Sequence, residues 1–218
     1  MTEKKVNSSE RKQQSIALIL EGAFNIFVEK TIEGTTFDDV AAISGVGVAT
    51  IYRHYKNKQM LVIAVASYAW GKYFADFEER RPLEEIKDIP AIDRLAFGLD
   101  IYLDLYQNHK DLLKYNDNFN HFIQHYDYKD YEGMKDYFAV TDPISERFHI
   151  LYEKAKIDKT VRTDIDESKL FRLTVHTMMA ACHYYAGGFA WGADADKDHD
   201  YMDELLELKE MLLNYARG

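Results

Sequence analysis

The chain has 218 residues, with 27 basic against 37 acidic side chains for a net charge of −10, and a single cysteine. That length can bury the core of one large or two modest domains, and two fits better. Lone Cys182 excludes an intramolecular disulfide and every multi-cysteine zinc pattern, and no run approaches the roughly 18 apolar residues that a bilayer span requires. The polar opening MTEKKVNSSERKQQS contains no apolar signal-peptide core, so a cytoplasmic chain without a membrane partner is expected.

In chain order, Ser8 or Ser9 can cap a first helix in which Ile16, Ile19, Leu20, Ala23, Phe24 and Phe27 recur at helical spacing, ending between Thr31 and Gly34. Thr36, with Asp39 three residues on, reads as a capping box that opens a second helix, and Gly45 supplies the left-handed residue that ends it. A third helix of about two turns starts at Val48, with Ile51 and Tyr55 on its packed side. Asn57 can cap a fourth helix that runs toward Arg80 before Pro82 stops it. Further helices are expected at Ala91–Gln107, Lys110–His125, Asp136–Ala155, Glu167–Gly187 and Asp200–Tyr215, with YDYKDYEG at 126–133 as a loop. Strand alternation and internal repeats are missing, so the expected fold is all-α.

Two short helices hinged on Gly45 are the arrangement that places one helix in a DNA groove. From about Arg11 to Val65 the chain resembles the DNA-binding domain of the TetR family of transcriptional regulators. The resemblance rests on Ser44, Gly45, Val46, Gly47, Val48, Ala49, Thr50, Ile51, Tyr52, Arg53, His54 and Tyr55, with Lys58 and Leu61 following in register. It implies a helix-turn-helix domain over residues 1–56 and a helical ligand-binding and dimerisation domain over 57–218. It also implies phosphate contacts from Thr36, Tyr52, His54 and Lys58, with Arg53 on the same short helix. The family's usual serine is replaced by Gly47, which leaves only a backbone N–H at that position. Val48 and Ala49 can meet thymine methyl groups, and Thr50 is the expected hydrogen-bonding base reader. Each of these side chains, taken singly, also fits an ordinary packing or surface role. Residues 1–60 hold eight basic and seven acidic side chains, so the acidity lies in the remainder, with 19 basic and 30 acidic.

The second domain is dense in aromatics, histidine and methionine. By the same resemblance it encloses a small-molecule pocket, for which Tyr102, Tyr106, Tyr115, Phe119, Phe122, His125, Tyr126, His176, Met179, His183 and Tyr184 are candidates. Core packing explains any one of them equally well. The family's homodimer would join the last two helices of each chain in a four-helix bundle, with Leu205, Leu208, Met211, Leu212 and Tyr215 as the stripe.

Metal readings are thin. Asp117, His121 and His125 share a helix face without defined further ligands, and Glu146 with His149 is a single Glu-x-x-His unit where a di-iron bundle needs two. The acidic run at Asp194, Asp196, Asp198 and Asp200 has His199 at the glycine position of a calcium loop and Leu205 at the glutamate position. No phosphate-binding loop, GxSxG elbow or HExxH pair is present. The expectation is therefore a ligand-responsive repressor that binds a palindromic double-stranded DNA operator, takes a small-molecule effector, uses no cofactor or metal and is not an enzyme. A helical small-molecule-binding enzyme and a dimeric interaction protein without DNA binding stay open as alternatives.

Overall fold

The computed structural model describes residues 8–124, 133–188 and 200–218. The helices are α1 (Ser8–Lys30), α2 (Phe37–Ser44), α3 (Val48–His54), α4 (Lys58–Arg80), α5 (Ala91–Asn108), α6 (Lys110–Gln124), α7 (Met134–Asp158), α8 (Glu167–Phe171), α9 (Thr177–Ala186) and α10 (Met202–Ala216). Among the described residues there is no β-strand, only one isolated bridge between Val161 and Arg217. No helix among them is long and apolar enough to cross a membrane.

The chain forms two compact units, Met1–Gly71 with Tyr115–Val140, and Lys72–Lys114 with Thr141–Gly218. The motif thus folds into a unit wider than residues 1–56. Its core takes Ile19, Leu20, Ala23 and Phe27 from the expected stripe of α1, with Ile26 added and Ile16 and Phe24 only half-buried, joined by Phe37 and Val40 of α2, Ile51 and Tyr55 of α3, and Leu61, Val62, Val65 and Trp70 of α4. Burying each such side chain contributes roughly 1.5–3 kcal/mol, which is how helices as short as α2 and α3 persist. Tyr115 of α6 lies wholly buried within reach of Phe24 and Phe27, at ring-centroid distances of 5.4 and 6.3 Å. Its hydroxyl donates to the Val62 carbonyl at 2.7 Å, and Trp70 Nε1 donates to Asn116 Oδ1 at 3.1 Å. Asn57 performs the capping expected of it, its Oδ1 accepting from Met60 N at 2.9 Å.

In the second unit α5 packs against α9 and α10. Pro90 precedes α5 and offers no side-chain cap, so remote residues serve instead: Asp158 accepts from Ala91 N at 2.8 Å and Thr160 Oγ1 from Ile92 N at 3.1 Å. Burial alone would raise the Asp158 carboxyl, but the bonds from Thr160 and Ala91 more than offset it and hold the group below its ordinary value. Asp104 of α5 accepts from both Arg80 Nη atoms at 3.0 Å, from the Tyr73 hydroxyl at 3.1 Å and from Asn108 at 3.0 Å. This ties the C-terminal half of α4 to α5. The expected continuous helix 167–187 is interrupted by a π turn at Arg172–His176, where wholly buried Thr174 turns its hydroxyl back to the Leu170 carbonyl at 2.8 Å.

Candidate nucleic-acid interface

α2 opens with the full capping box: Asp39 N donates to Thr36 Oγ1 at 3.2 Å, while Thr36 N and Oγ1 donate to Asp39 Oδ2 at 2.8 and 2.6 Å. Lys30 Nζ closes on the other oxygen of Asp39 at 2.7 Å. The bonds from Lys30 and then Thr36 hold the Asp39 carboxyl well below the usual carboxylate range. Both donors of Thr36 are therefore committed to Asp39, and in this conformation the residue caps α2 rather than offering a hydrogen to a phosphate.

Gly45 ends α2 at φ 69° and ψ 9°, its N–H donating to the Ala41 carbonyl at 3.0 Å. A Cβ there would meet nothing within 4 Å, so the glycine is required by backbone angle and not by space. Another glycine, which spacing alone did not single out, is required by space. A Cβ on Gly22 of α1 would stand 2.9 Å from Ser44 Cβ and 3.0 Å from the Ser44 backbone, so it lets α1 and α2 cross closely.

α3 has no side-chain N-cap at Gly47, as the sequence implies, and begins with Thr50 N donating to the Gly47 carbonyl at 2.8 Å. Ile51 and Tyr55 face the core, and burial pushes the Tyr55 hydroxyl up to about 12. Gly47, Ala49, Tyr52 and Arg53 are exposed, with Val48, Thr50 and His54 half-buried. The Tyr52 ring rests on Phe37 at 4.6 Å between centroids, which fixes an otherwise exposed side chain on the outer face. Burial, then the charges of Arg53 and Lys12, lower the His54 imidazole below its ordinary value of 6.5. Lys58 donates to the Glu33 carbonyl at 3.0 Å. Burial lowers its ammonium, with Glu33 and Asp39 opposing.

The pocket candidates divide between the two units. Tyr115, Phe119 and Phe122 are buried in the motif-bearing unit, where Phe119 also meets Tyr137 at 5.1 Å. Tyr102 and Tyr106 are buried in the other unit, where burial and the neighbouring Cys182 thiol raise the Tyr102 hydroxyl, and burial pushes Cys182 up to about 12. Tyr106 accepts from Tyr201 N at 3.1 Å at the start of α10. Met179 and His183 are half-buried, His176 is exposed against Phe171, and Tyr184 is 57% exposed. His125 and Tyr126 lie outside the described residues, as do Asp194, Asp196, Asp198 and His199 of the acidic run.

The α10 stripe also divides. Leu205 and Leu212 are buried within their own protomer, on a helix that packs against α5 and α9. Leu208 is half-buried, while Met211 and Tyr215 are 65% and 42% exposed at i+3 and i+7 from it.

A buried scaffold that presents one short helix from a left-handed turn, attached to a separate helical unit, defines a helix-turn-helix protein. Residues 19–65 match the family described as bacterial regulatory proteins, tetR family. Over 102 residues the chain is 33% identical to an HTH-type transcriptional regulator of Staphylococcus aureus (strain MRSA252), covering 47% of this chain and 51% of that protein. The chain thus spans about half the length of the curated relative it matches. Among solved structures it resembles the transcriptional regulator FadR from Bacillus subtilis in complex with stearoyl-CoA, with a TM-score of 0.66 at 15% identity over 92% of this chain and 99% of that one. Salmonella enterica GusR gives a TM-score of 0.64 at 14% identity over 98% and 99% of the two chains. Residues 19–65 thus carry the sequence pattern of the tetR-family regulatory proteins, and the chain as a whole has the fold of these solved structures.

Proposed function

We propose that this chain is a ligand-responsive transcriptional repressor that binds a palindromic operator as a homodimer. The observation that carries this reading is α3: anchored through Ile51 and Tyr55, it leaves Ala49, Tyr52 and Arg53 exposed, with Thr50 beside them. Ala49 offers a methyl surface to thymine and Thr50 a hydroxyl to a base edge. Tyr52, Arg53 and His54 serve the phosphates and set register rather than sequence. Lys58 joins them by exchanging its Glu33 carbonyl for a phosphate oxygen. Two such helices in successive major grooves, about 34–36 Å apart, would read a two-fold symmetric site. An effector held in the helical body releases DNA only if it binds the non-operator conformation more tightly, by about 5.5 kcal/mol for a shift from 1:99 to 99:1.

Operator selection from random duplexes tests the reading. A recovered palindrome supports it, and a folded dimer that selects nothing at low salt removes it. Against the selected site, Thr50→Ala should cost about 1–3 kcal/mol with relaxed preference at one position, whereas Tyr52→Ala should weaken all sequences alike. Equal losses from both would remove Thr50 as a base reader.

His54 gives the binding a pH dependence. Its imidazole is depressed in the free protein, while an opposing phosphate favours the protonated form, so DNA binding takes up a proton. Affinity should rise about threefold to tenfold as pH falls from about 7.5 to 6 at constant salt, as each unit of pKa difference amounts to about a factor of ten. His54→Gln should flatten that slope, and an unchanged slope would take His54 out of the contact.

The dimer reading rests on exposed Met211 and Tyr215 with half-buried Leu208 on α10, and on exposed Ala180 and Tyr184 of α9, a helix that packs against α10. Met211→Glu places a charge in that seam and should yield a folded monomer by light scattering, with operator affinity reduced at least about tenfold. A Met211→Glu protein that stays dimeric would move the interface elsewhere.

A further inference from the structure

On the surface of the second unit, α7 and α8 bring together three side chains that the proposed function does not use. His149 and Glu153 stand four residues apart on α7, and Glu167 opens α8; one ligand atom from each lies within 4.8 Å of the other two. His149 Nδ1 is 3.1 Å from both oxygens of the Glu167 carboxylate. Two ligands at about 2.0–2.1 Å from a tetrahedral ion stand roughly 3.3 Å apart, so the imidazole and Glu167 are already close to that spacing. The sequence pairing of Glu146 with His149 pointed to this helix but not to the partner, which comes from eighteen residues further on.

The frame behind the three is held by contacts independent of them. The Tyr152 hydroxyl donates to the Ile165 carbonyl at 2.5 Å, Phe148 meets Phe171 edge-on at 5.0 Å, and Asp166 caps α8 by accepting from Lys169 N at 3.1 Å. The first turn of α8, which carries Glu167, is thereby held beside α7, as preorganisation of a ligand requires. Lys156 Nζ donates to Glu153 at 2.5 Å, an exposed pair three residues apart that an entering dication can displace at little cost.

We propose that His149, Glu153 and Glu167 form a binding site for a divalent first-row transition ion of the zinc type, completed by water. One imidazole nitrogen with two carboxylates and open vertices suits such an ion, whereas Mg²⁺ and Ca²⁺ favour all-oxygen shells. The bound ion clamps α7 to α8 across the 159–166 connector.

Chelator-treated full-length protein titrated with ZnCl₂ by calorimetry should bind one ion per protomer and show a raised melting temperature. His149→Ala and Glu167→Gln should each weaken that binding at least about tenfold with circular dichroism unchanged, because His149 is exposed, Glu167 is half-buried and neither belongs to the core. Excess MgCl₂ should leave the zinc isotherm in place. His121→Ala, which alters the exposed His121 and Asp117 pair on α6, should bind zinc as the parent does. Absence of saturable binding, parental affinity in both His149→Ala and Glu167→Gln, loss of binding in His121→Ala, or displacement of zinc by magnesium would each overturn the assignment.

Discussion

Tyr115→Ala should destabilise the motif-bearing unit by about 3–5 kcal/mol, the range for truncating a large aromatic in a packed core. Tyr115 is wholly buried, stands beside Phe24, Phe27 and Phe119, and donates to the Val62 carbonyl. Truncation removes the ring from a core shared with α1 and deletes that bond to α4. The measurement is the denaturant midpoint followed by tryptophan fluorescence, since Trp70 belongs to the same unit. Tyr115→Phe keeps the ring and should cost only about 1 kcal/mol, the usual net worth of one hydrogen bond. A Tyr115→Ala midpoint within about 1 kcal/mol of the parent would show that the ring lines a yielding cavity, as its place among the pocket candidates supposes, and not a core.

Gly22→Val should cost about 3 kcal/mol, the upper end of ordinary overpacking, and should reduce operator binding with it. The first added carbon already stands 2.9–3.0 Å from Ser44 Cβ, Cα and N, and two of those atoms are backbone that cannot rotate away. Valine adds two methyl groups to the same gap, so α2 must shift off α1, and Gly45 and α3 move with it. Gly98→Ala provides the contrast: a Cβ at Gly98 of α5 meets nothing within 4 Å, and alanine in a helix interior should stabilise by about 0.5–1 kcal/mol. Comparable melting temperatures for Gly22→Val and the parent would mean that the crossing is looser than its geometry.

Much of the fold was legible because helix ends are local chemistry. The Thr36 and Asp39 box, the αL residue at Gly45, the Asn57 cap and the stop before Pro82 involve residues within four positions of one another, and each is found where expected. The break at Arg172–His176 was not legible, since periodicity across RLTVH fits a continuous helix and the extra residue in the turn accompanies burial of Thr174. For the candidate interface, the residues could be named from the sequence, but not every hydrogen bond that they make within the free protein. Thr36 is taken up by Asp39 and Lys58 by the Glu33 carbonyl, and a partner twenty-five residues away leaves no trace in spacing.

By itself, the sequence determined the start of α2, the cap and stop of α4, the placement of Gly45 and the packed face of α3, because these depend on backbone angles and hydrogen bonds among near neighbours. Only the tertiary structure decided which apolar residues are core. Tyr115 and Leu205 carry the same sequence signal as Tyr184 and Met211, yet the first two are fully buried and the others 57% and 65% exposed. A helical stripe gives the direction in which side chains point, and whether another helix waits there depends on contacts between residues far apart in the chain. The same reason hid Gly22 and joined Glu167 to His149: each role depends on what a different helix brings within a few ångströms.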